Sequence, residues 1–320
     1  MTTRRQIVLA TALCALSTRS ALAQPRPARI GVMSGNPLAK SIYGSALVRG
    51  LAEAGYRDGA GAILEYRSTD GFADRFAKQA RELVDLKCDV IFTLGSDLPV
   101  RALMNLGAPV PTVFWAGDFD PVEKGIVKNL RRPEGNVTGV YAPQGTLVAK
   151  RLELLRESLP AARRFLVLAD VWSKEHVGAA RKAAEIAGVQ LTVVEFSKQP
   201  YDFGAAFATG QQAGAEGVVL LNSPVFSANL GQLSVLMTKH RLPSVGASLP
   251  GILLAYHADL RKGAERVAAM GVRILKGTKP SDIPVEQQAE FQFVVNLKTA
   301  KTLGVQIPQS VMARATRVIE

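Results

Sequence analysis

Short runs of apolar and β-branched residues recur at Ile30 to Met33, Ile63 to Arg67, Val90 to Leu94 and Thr112 to Trp115, and each reads as a buried strand. Between them, Leu47, Leu51 and Ala54, then Phe76, Ala80 and Leu83, are apolar at helical spacing. Strands alternating with amphipathic helices build βαβ units, so a parallel sheet flanked by helices is predicted.

The alternation restarts after residue 143. Strands are expected at Phe165 to Ala169, Leu191 to Glu195, Gly217 to Leu221 and Ser244 to Gly246. The intervening helices place Val148, Leu152, Leu155 and Leu159 on one face and Val177, Ala180, Ala184 and Ala187 on another. A further apolar run, Ile252 to Tyr256, precedes a helix with Ala264, Val267, Gly271 and Ile274 on one side, a strand-like Phe291 to Val295 and a last amphipathic stretch. One sheet does not hold all of these comfortably, so the chain is expected to return to the first lobe. Several crossings between lobes would make a hinge. The expected class is therefore α/β with two lobes, each a parallel sheet flanked by helices: 24–142 first, 143–250 second, and 251–320 a return segment shared between them.

The amino terminus reads differently. Thr3-Arg4-Arg5-Gln6-Ile7-Val8 supplies positive charge, Ile7 to Leu16 is apolar or small, and polar Ser17 to Ser20 leads to Ala21-Leu22-Ala23. This is the pattern of a cleaved export signal over residues 1–23, with an apolar stretch roughly half of the ~20 residues that span a bilayer. Arg4-Arg5 fits a twin-arginine signal as well as an ordinary one. The bulky Leu13 before Cys14 disfavours a lipoprotein anchor. A periplasmic protein is expected, and no later segment has the length and apolarity of a span. Cys88 is the only cysteine beyond the signal, so no internal disulfide forms; set between a helix and Val90 to Leu94, it reads as a buried, inert thiol.

The chain carries a formal charge of +12, which becomes +9 without Arg4, Arg5 and Arg19 of the signal. Its basic residues are interspersed with glutamates along helices and never form a run of five. Nucleic acid is therefore not an expected partner, and the balance suits anionic ligands or membrane surfaces.

Parallel sheets covered by helices bind ligands beyond the carboxyl ends of their strands. The segments there are Ser34-Gly35-Asn36, Ser68-Thr69-Asp70-Gly71, Gly95-Ser96-Asp97, Gly117-Asp118-Phe119-Asp120-Pro121, Asp170-Val171-Trp172, Asn222-Ser223-Pro224 and Gly246-Ala247-Ser248. Turn chemistry accounts for each singly, and their convergence on two facing edges points to a cleft. Candidate ligand contacts are Ser34, Ser96 and Asp118 from the first lobe, Trp172 and Asn222 from the second, and Tyr256 near the hinge. Hydroxyls and amides at helix starts hold an anionic group, a carboxylate holds an ammonium, and an indole stacks on a flat or cationic ligand. The structural alternatives are a capping Asp118, and core packing for Trp172 and Tyr256.

Catalytic signatures are missing. There is no Gly-Lys dipeptide for a Walker A loop and no G-x-G-x-x-G after the first strand. Gly246-Ala247-Ser248-Leu249-Pro250-Gly251 puts the last glycine of a nucleophile elbow one residue late, which leaves Ser248 a loop hydroxyl. His176, His240 and His257 lie far apart and read as surface or helix-end residues. Asn136-Val137-Thr138 reads as a turn. No catalytic residue, metal or cofactor is expected.

Several segments together resemble a family of ABC-transporter substrate-binding proteins that includes tryptophan-binding and related amino-acid-binding lipoproteins. They are Gly50-Leu51-Ala52-Glu53-Ala54-Gly55-Tyr56, Leu64-Glu65-Tyr66-Arg67, Asp120-Pro121-Val122, Gly135-Asn136-Val137-Thr138-Gly139, Lys150-Arg151-Leu152-Glu153-Leu154-Leu155 and the closing segment 284–320. The resemblance implies the two-lobed type I periplasmic-binding-protein fold, a small-molecule ligand of amino-acid-like or aromatic type, and an ABC permease in the inner membrane as partner. A monomer is expected. Departures fall where specificity should lie: Gly117-Asp118-Phe119-Asp120-Pro121 is two residues longer than the usual Gly-Asp-Pro, and Ala255-Tyr256-His257 replaces what is often Ser-Tyr-Gly. The alternatives are a periplasmic ligand sensor for a membrane kinase and an exported α/β enzyme.

Overall fold

The structure, a computed structural model, describes residues 26–117, 119–142, 144–247 and 251–320. The export signal with Cys14, the candidate ligand residue Asp118, and Ser248 lie outside the described residues.

In chain order the first strands are β1 (Ala28–Ser34), β2 (Arg57–Asp58), β3 (Gly61–Ser68), β4 (Val90–Gly95), β5 (Thr112–Ala116) and β6 (Val137–Tyr141). Then come β7 (Arg164–Asp170), β8 (Gln190–Phe196), β9 (Gly217–Leu220), β10 (Ser244–Gly246) and β11 (Leu254–Ala258). The last are β12 (Glu286–Gln287), β13 (Phe291–Asn296) and β14 (Arg317–Ile319). They form two seven-stranded sheets, β12-β6-β5-β4-β1-β3-β2 and β14-β13-β11-β10-β9-β7-β8.

The continuous apolar runs follow from burial on both faces of each sheet. All five residues of β5 are buried, as are the last six of β7. On one face of the first sheet, Leu47 and Leu51 of the helix Ile42–Glu53 pack with Ala264, Val267 and Ala268 of the helix Leu260–Leu275. Gly271 lets that second helix approach the sheet, since an added Cβ would overlap the Phe92 ring. Phe76, Ala80 and Leu83 cover the other face. In the second lobe, the helices Gln144–Ser158 and Val177–Ala187 bury Val148, Leu152, Leu155, Val177 and Ala184 against one face, and Phe203, Phe207, Leu233 and Met237 cover the other.

Three features depart from the sequence reading. β13 runs antiparallel to β11, with Tyr256 opposite Phe293, so the second sheet is mixed. Val137 and Thr138, read as part of a turn, begin the buried strand β6, and the amide of Asn136 just before it donates to the carbonyls of Ala108 and Val110 at 3.0 and 2.8 Å. Of the histidines read as surface or helix-end, His257 is instead a buried residue of the strand β11, whereas His176, also buried, does stand at a helix end, just before Val177–Ala187.

The chain passes between the sheets after β6, between β11 and the helix Leu260–Leu275, and between β12 and β13. Segments crossing side by side permit rotation of one lobe against the other. Because β1, β3, β4 and β5 are parallel, Ser34, Ser68, Gly95 and Ala116 end on one edge. Asp170, Leu220 and Gly246 end on the facing edge of the second sheet.

Candidate functional site

A cavity of about 320 Å³ lies between these edges, at the small end of the ~300–1,000 Å³ typical of ligand pockets. Its first-lobe wall is built on strand ends that run into helix starts. Ser34 closes β1, and its hydroxyl meets that of Ser41 at 3.4 Å. Ser41 caps the helix Ile42–Glu53 by accepting from the Gly44 amide at 2.9 Å. Ser96, just after β4 and two residues before the helix Leu98–Asn105, is buried, and its hydroxyl has no hydrogen-bond partner among the described groups. Helix starts of this kind favour negative charge. Lys40 is the one formally charged side chain among the described lining residues, and Tyr43 supplies an aromatic surface, its ring set edge-on to Trp115 at 4.8 Å.

The second-lobe wall is organised by Asp170. Its carboxylate accepts from the Ser223 and Ser173 hydroxyls at 2.5 and 3.1 Å, from the Trp172 amide at 3.1 Å and from the Tyr201 hydroxyl at 3.3 Å. Burial pushes this carboxyl above its ordinary pKa, and the donors pull the other way. The Tyr201 hydroxyl is also pushed up, by burial and by the adjacent carboxylate. Ser223 in turn accepts from the amides of Val225 and Phe226, fixing the turn that presents Asn222 and Pro224 to the cavity.

The two walls are in contact. Trp172 is buried against Phe76, ring centroids 5.7 Å apart, and its Nε1 donates to the Gly71 carbonyl at 3.3 Å. That carbonyl also accepts from Gln199 Nε2 at 2.8 Å. Lys124 and Glu175 pair across the cleft. Gly35 sits so close to Pro224 that a Cβ there would lie 2.9 Å from the proline ring. At the hinge side, Asn222 Nδ2 donates to the Gly117 carbonyl at 3.3 Å, while its Oδ1 accepts from Arg151 Nη1 at 3.1 Å. Arg151 has no exposed surface, and burial lowers its guanidinium to about 10.

Of the candidate residues, Ser34, Ser96, Trp172 and Asn222 meet at this cavity. Tyr256 does not line it. Its ring stacks on Phe291 at 5.7 Å and its carbonyl accepts from Arg151 Nε at 2.8 Å. Successive strand residues point to opposite faces, so on β11 it is the next residue, His257, that reaches the cavity. Lys40, Tyr43 and His257 were not among the candidates. The replacement of glycine at position 257 relative to the resembled family was the signal for His257; Lys40 and Tyr43 carried none. Among the described residues no cluster of His, Cys, Asp or Glu could hold a metal ion, and no helix is long and apolar enough to cross a membrane.

Two lobes, one on a parallel and one on a mixed sheet, joined by several crossings and meeting at a small cavity, have the build of a two-lobed solute-binding protein. The chain belongs to the family described as "ABC transporter substrate binding protein", whose sequence pattern it matches over residues 30–319. It is 23% identical over 269 residues to a tyrosine-binding protein of Clostridioides difficile (strain R20291), covering 81% of this chain and 75% of that one. Among solved structures it is similar to an ABC domain in complex with L-Trp from Streptococcus pneumoniae, at TM-score 0.79 and 22% identity over 91% of this chain and 99% of that one. A conserved domain protein from Vibrio cholerae gives TM-score 0.79 and 24% identity, covering 92% of this chain and 100% of that one. The ligand-free, open structure of a substrate-binding protein with adhesive properties from Clostridium difficile gives 0.62 at 22% identity, over 91% and 99% of the two chains.

Proposed function

We propose that this protein captures a small zwitterionic or anionic molecule bearing an aromatic or similarly flat group and hands it to an ABC permease, acting as an extracytoplasmic monomer and without chemistry on its ligand. The observation that carries the reading is the make-up of the cavity. Hydroxyls and the amides of Asn36 and Asn222, from the two lobes, line it together with Tyr43, Trp172 and Phe226, with Lys40 as the charged group. Ser34, Ser96 and Asn222 would hold the polar end, Trp172 would cover the flat part, and Asp118, which follows Gly117 directly, would take an ammonium. The relatives named for tyrosine and L-Trp make aromatic amino acids the first compounds to try. Export by the signal at residues 1–23 fits a receptor that works outside the cytoplasm.

A thermal-shift screen of amino acids, nucleosides, carboxylates and small aromatics on the purified mature protein tests this. A true ligand at ~100 times its dissociation constant adds about 2.7 kcal/mol to stability. The recovered ligand should be chemically unchanged. Turnover of the ligand, or no stabilisation by any compound, would sink the reading.

A further inference from the structure

His257 lines the cavity from β11 and is 7% exposed. Its Nδ1 lies 2.8 Å from the Ala258 carbonyl oxygen, a group that only accepts, so in the neutral ring Nδ1 carries the proton and Nε2 is a bare acceptor. Nε2 is buried and has no hydrogen-bond partner among the described protein groups. Burial holds the ring below its ordinary pKa; the contact with the Ala258 carbonyl opposes this, the charge of Arg151 on the helix Gln144–Ser158 adds to it, and Asp259 opposes it. The ring is therefore neutral at neutral pH.

We propose that His257 is a specificity-determining residue whose Nε2 accepts a hydrogen bond from a neutral O–H or N–H group of the ligand. A buried acceptor without a partner discriminates strongly, because a ligand lacking the donor leaves it unmet. A cationic donor is disfavoured there. Arg151 is fully buried, forms no ion pair among the described residues and is near enough to act on the ring, so an ammonium beside His257 would meet a like charge. The donor is thus a hydroxyl, a phenol or a ring N–H, and the ligand's ammonium, where it has one, lies elsewhere in the cavity. This rests on the solute-capture reading above.

The test has two arms on the full mature protein. Long-range proton–nitrogen NMR of the ligand-free protein at pH 7, assigned with His257→Gln, should find Nδ1 protonated and Nε2 bare; a protonated Nε2 overturns the proposal. Calorimetric titration then compares L-tyrosine with L-phenylalanine and L-tryptophan with 1-methyl-L-tryptophan. In at least one pair the donor-bearing compound should bind about tenfold or more tighter, and His257→Leu should reduce that ratio to within about threefold. His257→Gln, whose amide oxygen also accepts, should keep part of it and serves if the leucine variant does not fold. Equal affinities within both pairs, or a ratio that survives His257→Leu, overturns the proposal. So does binding of none of the four while another compound of the screen binds, an outcome that leaves solute capture standing. Failure of every compound in the screen overturns solute capture itself.

Discussion

Arg151 Nη1 donates to Asn222 Oδ1 at 3.1 Å, and this contact decides which end of the Asn222 amide faces the opposite lobe. With Oδ1 held by the guanidinium, Nδ2 is turned to the Gly117 carbonyl across the cleft, at 3.3 Å. Arg151 therefore acts at the cavity without lining it. Its Nη2 has no hydrogen-bond partner among the described residues and its charge is fully buried.

Replacing Arg151 with methionine should separate this orienting role from a structural one. Removing an uncompensated buried charge offsets the loss of the hydrogen bonds to Tyr256 and Asn222, so stability should change by under about 2 kcal/mol. Affinity should fall by about tenfold, or ~1.4 kcal/mol, because Asn222 loses its fixed orientation. Urea unfolding alongside calorimetry reads both; unchanged affinity would assign Arg151 to the fold alone.

Gly35→Ala should oppose closure. The new methyl group would fall 2.9 Å from Pro224 and 3.4 Å from the Trp172 ring, both on the other lobe, so neither lobe is strained until they meet. The melting temperature of the ligand-free protein should stay within a few degrees while affinity drops about tenfold or more. Small-angle scattering of the variant should show a larger radius of gyration at ligand concentrations that close the wild type. A wild-type affinity would mean that Gly35 and Pro224 do not set the closed state.

Asp170 should leave a mark on the pH dependence of stability. Its native pKa is raised above the ordinary 3.8, so the folded protein holds this proton more tightly than the unfolded chain. The contribution is fully present below 3.8 and is lost as pH rises through the native value. The stability of the wild type relative to Asp170→Asn should therefore be greatest in acid and decline as pH rises. Urea midpoints measured across that range check the sign, and a rising difference would contradict it.

The Cys88 thiol, pushed up to about 11 mainly by burial, should be inert to a thiol-specific disulfide reagent at pH 8. At three units below its pKa, only about one thiol in a thousand is ionised. Labelling of the native protein should proceed at the rate of opening and become fast in urea; rapid native labelling would mean that the Leu83–Cys88–Ile91 packing is loose.

The local pattern carried far where burial on both faces makes it unambiguous. Ile30 to Met33, Val90 to Leu94 and Phe165 to Ala169 are sheltered by helices on both sides, and each lies in a strand with a neighbouring strand on either side. Strands whose pairing decides their existence were not legible. Arg57–Asp58 and Glu286–Gln287 are exposed two-residue edges that exist through β3 and β6, and Val137–Tyr141 sits in a segment whose asparagine and glycine speak for a turn.

The same division runs through the site. Because ligands gather at the carboxyl ends of parallel strands, chain order alone placed Ser34, Ser96, Trp172 and Asn222 at the cleft. It did not select between Tyr256 and His257, since adjacent strand residues differ only in which face they present, and that depends on what packs on each side. Tyr256 turned to Phe291, two residues before its register partner Phe293 on the antiparallel β13, and His257 to the cavity. The buried Arg151, which reads in sequence as one basic residue of a helix, gained its role only from Asn222, 71 positions away. Periodicity is a property of neighbours along the chain and fixes elements and edges. The partner of a polar group is set by approach of distant segments, which only the folded lobes bring about.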